Sequence, residues 1–214
     1  MKHFIAIIAL VLPLVASALD LELSIGSTKF GKTDNGIWYQ NGFDHTLDLQ
    51  SPSYSIGVSD YVSPGTRWRL EYTRLGNTST KARGVADANY NGVDGCNGPC
   101  WNVNHYHTSG SVRGFSATLA PEWNIGGGFK VFAEGGVFVY LPKFVVQAGE
   151  TECVEWQNEY REGWQAGLQL GGGIQKGKTQ FVLTAYNIDA KTPDENAIPN
   201  WQKWAVNAKI RQLF

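Results

Sequence analysis

The segment His107-Thr108-Ser109 contains the residue types of a general base and a nucleophile. On a β-strand, side chains two residues apart point to the same face, so the His107 imidazole could activate the Ser109 hydroxyl. Such a pair also needs an acidic residue that orients the imidazole. Glu122, the next acid along the chain, is expected at the opposite end of the same strand. We therefore predict no enzymatic activity and keep a hydrolase acting through His107 and Ser109 as the alternative.

Three cysteines offer a second kind of chemistry. In an oxidising compartment a disulfide is expected. The short turn Cys96-Asn-Gly-Pro-Cys100 favours a bond between Cys96 and Cys100, and a bond through Cys153 is the alternative. A metal site that adds His105 and His107 is a weaker interpretation, so neither a metal nor a cofactor is predicted.

The elements that would carry these residues alternate between apolar and polar side chains. In the last run of the chain, Trp204, Val206 and Ile210 share one face, whereas Lys209 and Arg211 share the other. This alternation is typical of a half-buried strand. Eight such segments predict an all-β fold, an eight-stranded antiparallel up-and-down transmembrane β-barrel. The segments lie around residues 19–30, 54–58, 67–73, 115–119, 130–141, 164–170, 181–185 and 204–214.

The connections alternate in length, as in outer-membrane barrels. Short turns are predicted at 63–65, 124–128 and 173–177, and the longest connection, loop 2, is predicted at about 76–108. A soluble β-sandwich or lipocalin-like barrel has a similar strand count and is the alternative fold.

The N-terminus predicts export. Met1-Lys-His is followed by an apolar run and by Ala16-Ser-Ala18, the pattern of a signal peptide. We predict a signal peptide at 1–18 and one barrel domain at 19–214, in the outer membrane of a Gram-negative bacterium. The formal net charge of −1 gives no reason to expect nucleic acid as a partner.

The polar faces of the predicted strands contain acids and bases in similar numbers. An eight-stranded barrel is just wide enough for side chains to fill it, and buried charges must be paired. We therefore predict an interior salt-bridge network in which Lys209 and Arg211 approach Asp20 and Glu22. A narrow ion or solute channel is the alternative. The network residues are Asp20, Glu22, Arg67, Arg69, Glu71, Lys130, Glu134, Lys209 and Arg211.

If side chains fill the barrel, activity belongs to the loops. Aromatic residues there could bind an extracellular glycan or protein, and outer-membrane lipid and lipopolysaccharide are expected around a monomeric barrel. The loop candidates are Trp38, Tyr39, Trp101, Tyr106, Trp156 and Trp201.

The alternating strands, the segment Glu134-Gly-Gly136 and the terminal Phe214 together resemble the small eight-stranded outer-membrane barrels of the OmpA membrane domain and OmpX superfamily. The resemblance covers the whole mature chain and implies a non-enzymatic barrel that displays surface loops for adhesion, surface interaction or membrane stabilisation. Gln212 departs from the pattern, because that lipid-facing position is usually apolar or aromatic. The His107-x-Ser109 pair is similar to that of the lipid A deacylases of the PagL type, which implies the hydrolase alternative.

Overall fold

The computed structural model describes residues 19–32, 44–84, 104–150, 156–161, 163–188 and 201–214. None of these residues forms a helix long and apolar enough to cross a membrane. They form ten strands: β1 (Asp20–Lys32), β2 (Asp44–Asp48), β3 (Gln50–Ser63), β4 (Thr66–Gly84), β5 (Asn104–Gly126), β6 (Phe129–Glu150), β7 (Trp156–Arg161), β8 (Gln165–Lys176), β9 (Thr179–Asn187) and β10 (Trp201–Leu213).

Eight of the strands close into an antiparallel ring. The order is β1-β3-β4-β5-β6-β8-β9-β10, and β10 pairs back with β1, where Ile25 lies opposite Ile210. The remaining two strands extend the same wall: β2 precedes β3 and pairs with β4, and β7 precedes β8 and pairs with β6. The predicted eight-stranded antiparallel barrel is therefore confirmed.

Three two-residue turns lie at one end of the barrel, at Pro64-Gly65, Gly127-Gly128 and Gly177-Lys178. Residues 19 and 214 lie at the same end, since the Leu213 amide donates to the Lys178 carbonyl at 2.8 Å and the Phe214 amide donates to the Leu21 carbonyl at 3.0 Å. A short turn was predicted around 173–177, and the structure has one, but it lies later, at Gly177-Lys178. β8 continues to Lys176, and the left-handed backbone that the turn requires is at Gly177, with φ of 58°.

The strands β4, β5 and β6 contain 19, 23 and 22 residues. About 9–11 tilted residues suffice to cross a bilayer, so these strands continue well beyond it on the side opposite the tight turns. Loop 2 was predicted at 76–108, and this is wrong because β4 runs to Gly84 and β5 begins at Asn104. The extension of β4 begins Asn-Thr-Ser-Thr, which is polar on both faces and shows no alternation.

A bulge in β4 lies where the outward side chains of the strand change from apolar to polar. Its register with β5 shifts between Arg74 and Gly76, and the extra residue, Leu75, points into the barrel and is fully buried. Before the bulge the outward side chains include Leu70 and Tyr72, and after it they begin with the exposed Asn77. The bulge thus separates an apolar outer face from a polar one.

Candidate functional site

The barrel interior contains a network of ion pairs that cross the lumen. Arg211, on β10, lies 3.4 Å from Glu22 on β1, 3.0 Å from Glu71 on β4 and 3.1 Å from Glu134 on β6. Its side chain is fully buried. Because β10 is adjacent to neither β4 nor β6, one guanidinium connects separate parts of the wall.

A second arginine repeats this arrangement from β4. Arg69 lies 3.1 Å from Glu22 and 3.4 Å from Glu134, and donates to the Gln180 amide oxygen at 3.3 Å. Glu134 also accepts a hydrogen bond from the Thr184 hydroxyl at 3.0 Å. Each of these buried charges therefore has a partner of opposite sign, without which its burial would be costly.

Lys209 pairs with Glu71, and Asp20 pairs with Arg67. The prediction that Lys209 approaches Asp20 is therefore wrong, whereas Arg211 does contact Glu22. The register explains the difference. Lys209 lies opposite Gly26 on β1, and Asp20 lies beyond Glu22, which is already opposite Leu213 near the end of β10.

A smaller group of charges closes the network at the tight-turn end. Glu122 lies 3.2 Å from Arg67 and 3.2 Å from Lys130, and it accepts a hydrogen bond from the Tyr61 hydroxyl at 2.9 Å. The sequence-based network omitted Glu122. The alternation of β5 could have identified it, because its buried residues Ser116, Thr118 and Ala120 are even-numbered and Glu122 continues that series.

Above the charges, toward the long strand extensions, the lumen is filled by an apolar layer. Its members come from six strands around the ring and from the residue that follows β9, so they span the cross-section. The alternation of the strands predicted the interior charges but did not identify this layer. The members are Phe30, Leu75, Val112, Phe138, Tyr140, Phe144, Tyr186, Ile188, Trp201 and Ala205.

Trp201 belongs to this layer, so its prediction as an exposed loop aromatic is wrong. It is the first residue of β10 and is 3% exposed, with its ring 5.9 Å from Phe30 and 6.5 Å from Phe144 between centroids. Its direction could not be read from the parity of β10, because Lys203 is also odd-numbered and is exposed. Lys203 has a left-handed backbone with φ of 57°, and the register with β1 shifts between Phe30 and Lys32, so the alternation is interrupted before Trp201.

His107 and Ser109 lie on β5, not in a loop. Both point away from the lumen, because Thr108, which lies between them, and Gly110, which follows Ser109, are buried on the other face of the strand. The register partners of His107 are Lys81 and Gln147, neither of which is an acid. Glu122 is bound to Arg67 and Lys130 at the other end of β5. The structure therefore does not bring this carboxylate to the pair.

For each remaining candidate, either the whole residue or its side chain lies outside the part of the chain that the structure describes. They are Trp38, Tyr39, Cys96, Cys100, Trp101 and Cys153, together with Tyr106 and Trp156, for which only the strand position is described. Within the described ranges, no group of three or more His, Cys, Asp or Glu residues could hold a metal ion.

The outer wall reverses the usual distribution of a water-soluble protein. Large apolar side chains are exposed around the ring, whereas Arg, Lys and Glu are buried within it. Only a bilayer provides an apolar environment for such a surface. The chain is a small eight-stranded transmembrane β-barrel. The exposed apolar residues include Leu21, Leu23, Ile25, Ile56, Leu70, Phe115, Leu119, Val137, Leu168, Leu170, Phe181, Leu183, Val206 and Ile210.

No family model and no curated protein matches this chain. Three solved structures are similar over most of its length, each covering 92% of the chain. Neisserial surface protein A is 12% identical, with 98% of that chain covered and a TM-score of 0.49. Ail of Yersinia pestis, in complex with the heparin analogue sucrose octasulfate, is 8% identical, with 100% covered and a TM-score of 0.43. OprG of Pseudomonas aeruginosa is 10% identical, with 94% covered and a TM-score of 0.43.

Proposed function

We propose that the protein is a non-conducting outer-membrane anchor that presents a recognition surface outside the cell. The observation that carries this proposal is the filling of the lumen by two layers. Arg69 and Arg211 bind the acids of the charged layer across the ring, and the apolar layer lies above them. Because side chains occupy the interior, the work of the molecule belongs to its outer parts.

The long strands support an external role. β4, β5 and β6 continue past the apolar band as one sheet, with Thr80 opposite Thr108 and Thr108 opposite Val146. The outer ends of these strands, at Gly84, Asn104 and Glu150, therefore lie at a distance from the bilayer. A surface at that distance is suited to bind a glycan or a protein of another cell, which is the adhesive or surface-interaction role we assign.

Membrane stabilisation remains a second part of the proposal, supported by the ion pairs that join β1, β4, β6 and β10. A rim hydrolase receives less support, because His107 lies opposite Lys81 and Gln147 and not opposite an acid. The Cys96–Cys100 disulfide, the signal peptide and the monomeric state stay predictions.

The test is binding of the folded protein in nanodiscs to an array of glycans and extracellular-matrix proteins. The variant replaces residues 85–103 by a short turn, and the matched control shortens residues 189–200 instead. Saturable binding that is lost with the first replacement and kept with the second is the expected result. Absence of binding by the unmodified protein contradicts the adhesive role.

A further inference from the structure

Two arginines lie side by side at the upper edge of the apolar band. On the outer face of β5, the exposed residues Leu119 and Phe115 are followed by the exposed Arg113. On β4, the exposed Leu70 is followed by Tyr72 and then by the exposed Arg74. Arg74 and Arg113 are register partners in the β4–β5 ladder. Both cations therefore lie where the lipid chains end and the headgroups begin.

This pairing is unfavourable in isolation, because like charges directly opposite each other on adjacent strands repel. Inside the barrel each arginine has a carboxylate partner, yet among the described residues neither Arg74 nor Arg113 has an ion pair. An anion at this position would relieve the repulsion.

A polar groove of about 550 Å³ lies on the side of the arginines that faces away from the bilayer. Arg74 and Lys143 are in its lining, together with the outward, half-buried hydroxyls of Ser79, Ser109 and Ser111. Its acidic member is Asp48, which accepts a hydrogen bond from the Gln50 amide at 3.3 Å. Hydroxyl side chains above a basic floor are suited to a ligand that combines phosphate with sugar.

We propose that this surface, which we call the arginine pair, binds the phosphorylated sugar headgroup of an outer-leaflet glycolipid, lipid A. Guanidinium groups donate paired hydrogen bonds to phosphate oxygens, so Arg74 and Arg113 together bind one phosphate. The groove above them receives the sugar ring. A phospholipid offers one phosphate without a ring sugar and leaves the groove unfilled. The proposal goes beyond surface recognition, because it assigns a lipid site on the barrel wall itself.

The experiment measures lipid binding to the folded protein in detergent micelles by native mass spectrometry. The probes are bisphosphorylated lipid A, monophosphoryl lipid A and phosphatidylglycerol, with inorganic phosphate as a competitor. The variant is Arg74→Gln/Arg113→Gln. The matched control is Lys176→Gln/Lys178→Gln, which removes two exposed cations at the tight-turn end.

We expect the arginine variant to lose affinity for bisphosphorylated lipid A by about tenfold or more, the effect of removing charge-assisted hydrogen bonds. The control keeps the affinity, phosphatidylglycerol binds more weakly than lipid A, and inorganic phosphate does not displace the lipid. Arg74→Lys/Arg113→Lys keeps the charge without the paired geometry and should bind with intermediate affinity. This variant also replaces the glutamine pair as the test if the latter does not fold.

Unchanged lipid A affinity in the arginine variant overturns the proposal. Equal binding of phosphatidylglycerol also overturns it, because the surface would then bind any anionic headgroup. Displacement by an equal concentration of inorganic phosphate shows a free-anion site and overturns it as well. The glycan array with residues 85–103 replaced is independent of these measurements, so failure of the lipid site and failure of the recognition role are distinguishable.

Discussion

At the scale of single residues, the interior depends on a few buried charges that each serve several partners. Glu71 illustrates this, because it binds Lys209 and Arg211 from β10 and accepts a hydrogen bond from the Thr73 hydroxyl at 2.8 Å. A buried ion pair contributes little compared with a well-packed apolar pair, but removal of one partner leaves an uncompensated charge. Loss of one member should therefore be costly.

Glu71→Gln should lower the free energy of unfolding by roughly 3–5 kcal/mol, the range for breaking a buried ion pair. The measurement is urea unfolding of the protein in lipid vesicles, followed by tryptophan fluorescence. Lys176→Gln is the control, since Lys176 is exposed at the tight-turn end. A loss below about 1 kcal/mol would show that water screens the network and that the interior is not dry.

Trp201 and Gly110 form a second interior contact that can be tested by a pair of substitutions. A Cβ atom added at Gly110 would lie 1.8 Å from Cζ3 of Trp201. Gly110→Ala should therefore lower the free energy of unfolding by about 1–3 kcal/mol, the usual effect of overpacking. In a Trp201→Leu background the same change should cost less, which a double-mutant cycle measures as coupling.

The control for this cycle is Gly163→Ala, where the added Cβ meets no atom within 4 Å. Additive effects of Gly110→Ala and Trp201→Leu would place the indole outside the lumen. That result would restore Trp201 as a candidate for ligand binding.

At the scale of the strands, alternation predicted the faces of β10 well. Lys209 and Arg211 were expected inside and are buried, and Trp204 and Val206 were expected outside and are exposed. Alternation failed where both faces are polar, as after Asn77 on β4, and where apolar residues line the lumen. Val182 and Tyr186 on β9 are buried inside the barrel, so their apolar character obscured the pattern.

The strand faces make a topological prediction for β4. Leu70 is 41% exposed and lies in the apolar band, so Leu70→Arg should lower the free energy of unfolding in vesicles by about 2–4 kcal/mol, the cost of a cation in mid-bilayer. Ser63→Arg, at the exposed end of β3 next to a tight turn, is the matched control and should cost little. Equal tolerance of the two arginines would contradict the outward orientation of β4.

At the scale of the whole molecule, the fold could be predicted from the sequence because strand number, loop alternation and charge placement all agree. The site could not be predicted to the same depth. Which cation meets which carboxylate depends on register and on side-chain reach across the lumen, as the pairing of Lys209 with Glu71 rather than with Asp20 shows. Long side chains from opposite walls meet only in three dimensions, and a linear pattern does not contain that information.

The filled lumen means that the barrel anchors and does not conduct. The most direct measurement is the conductance of the purified, folded protein in planar lipid bilayers, with Arg69→Ala/Arg211→Ala as a companion variant that removes the two cross-lumen cations. We predict no stable conductance for the unmodified protein, and leak events only in the variant. A stable, reproducible unit conductance of the unmodified protein would contradict the account and assign the barrel a channel function.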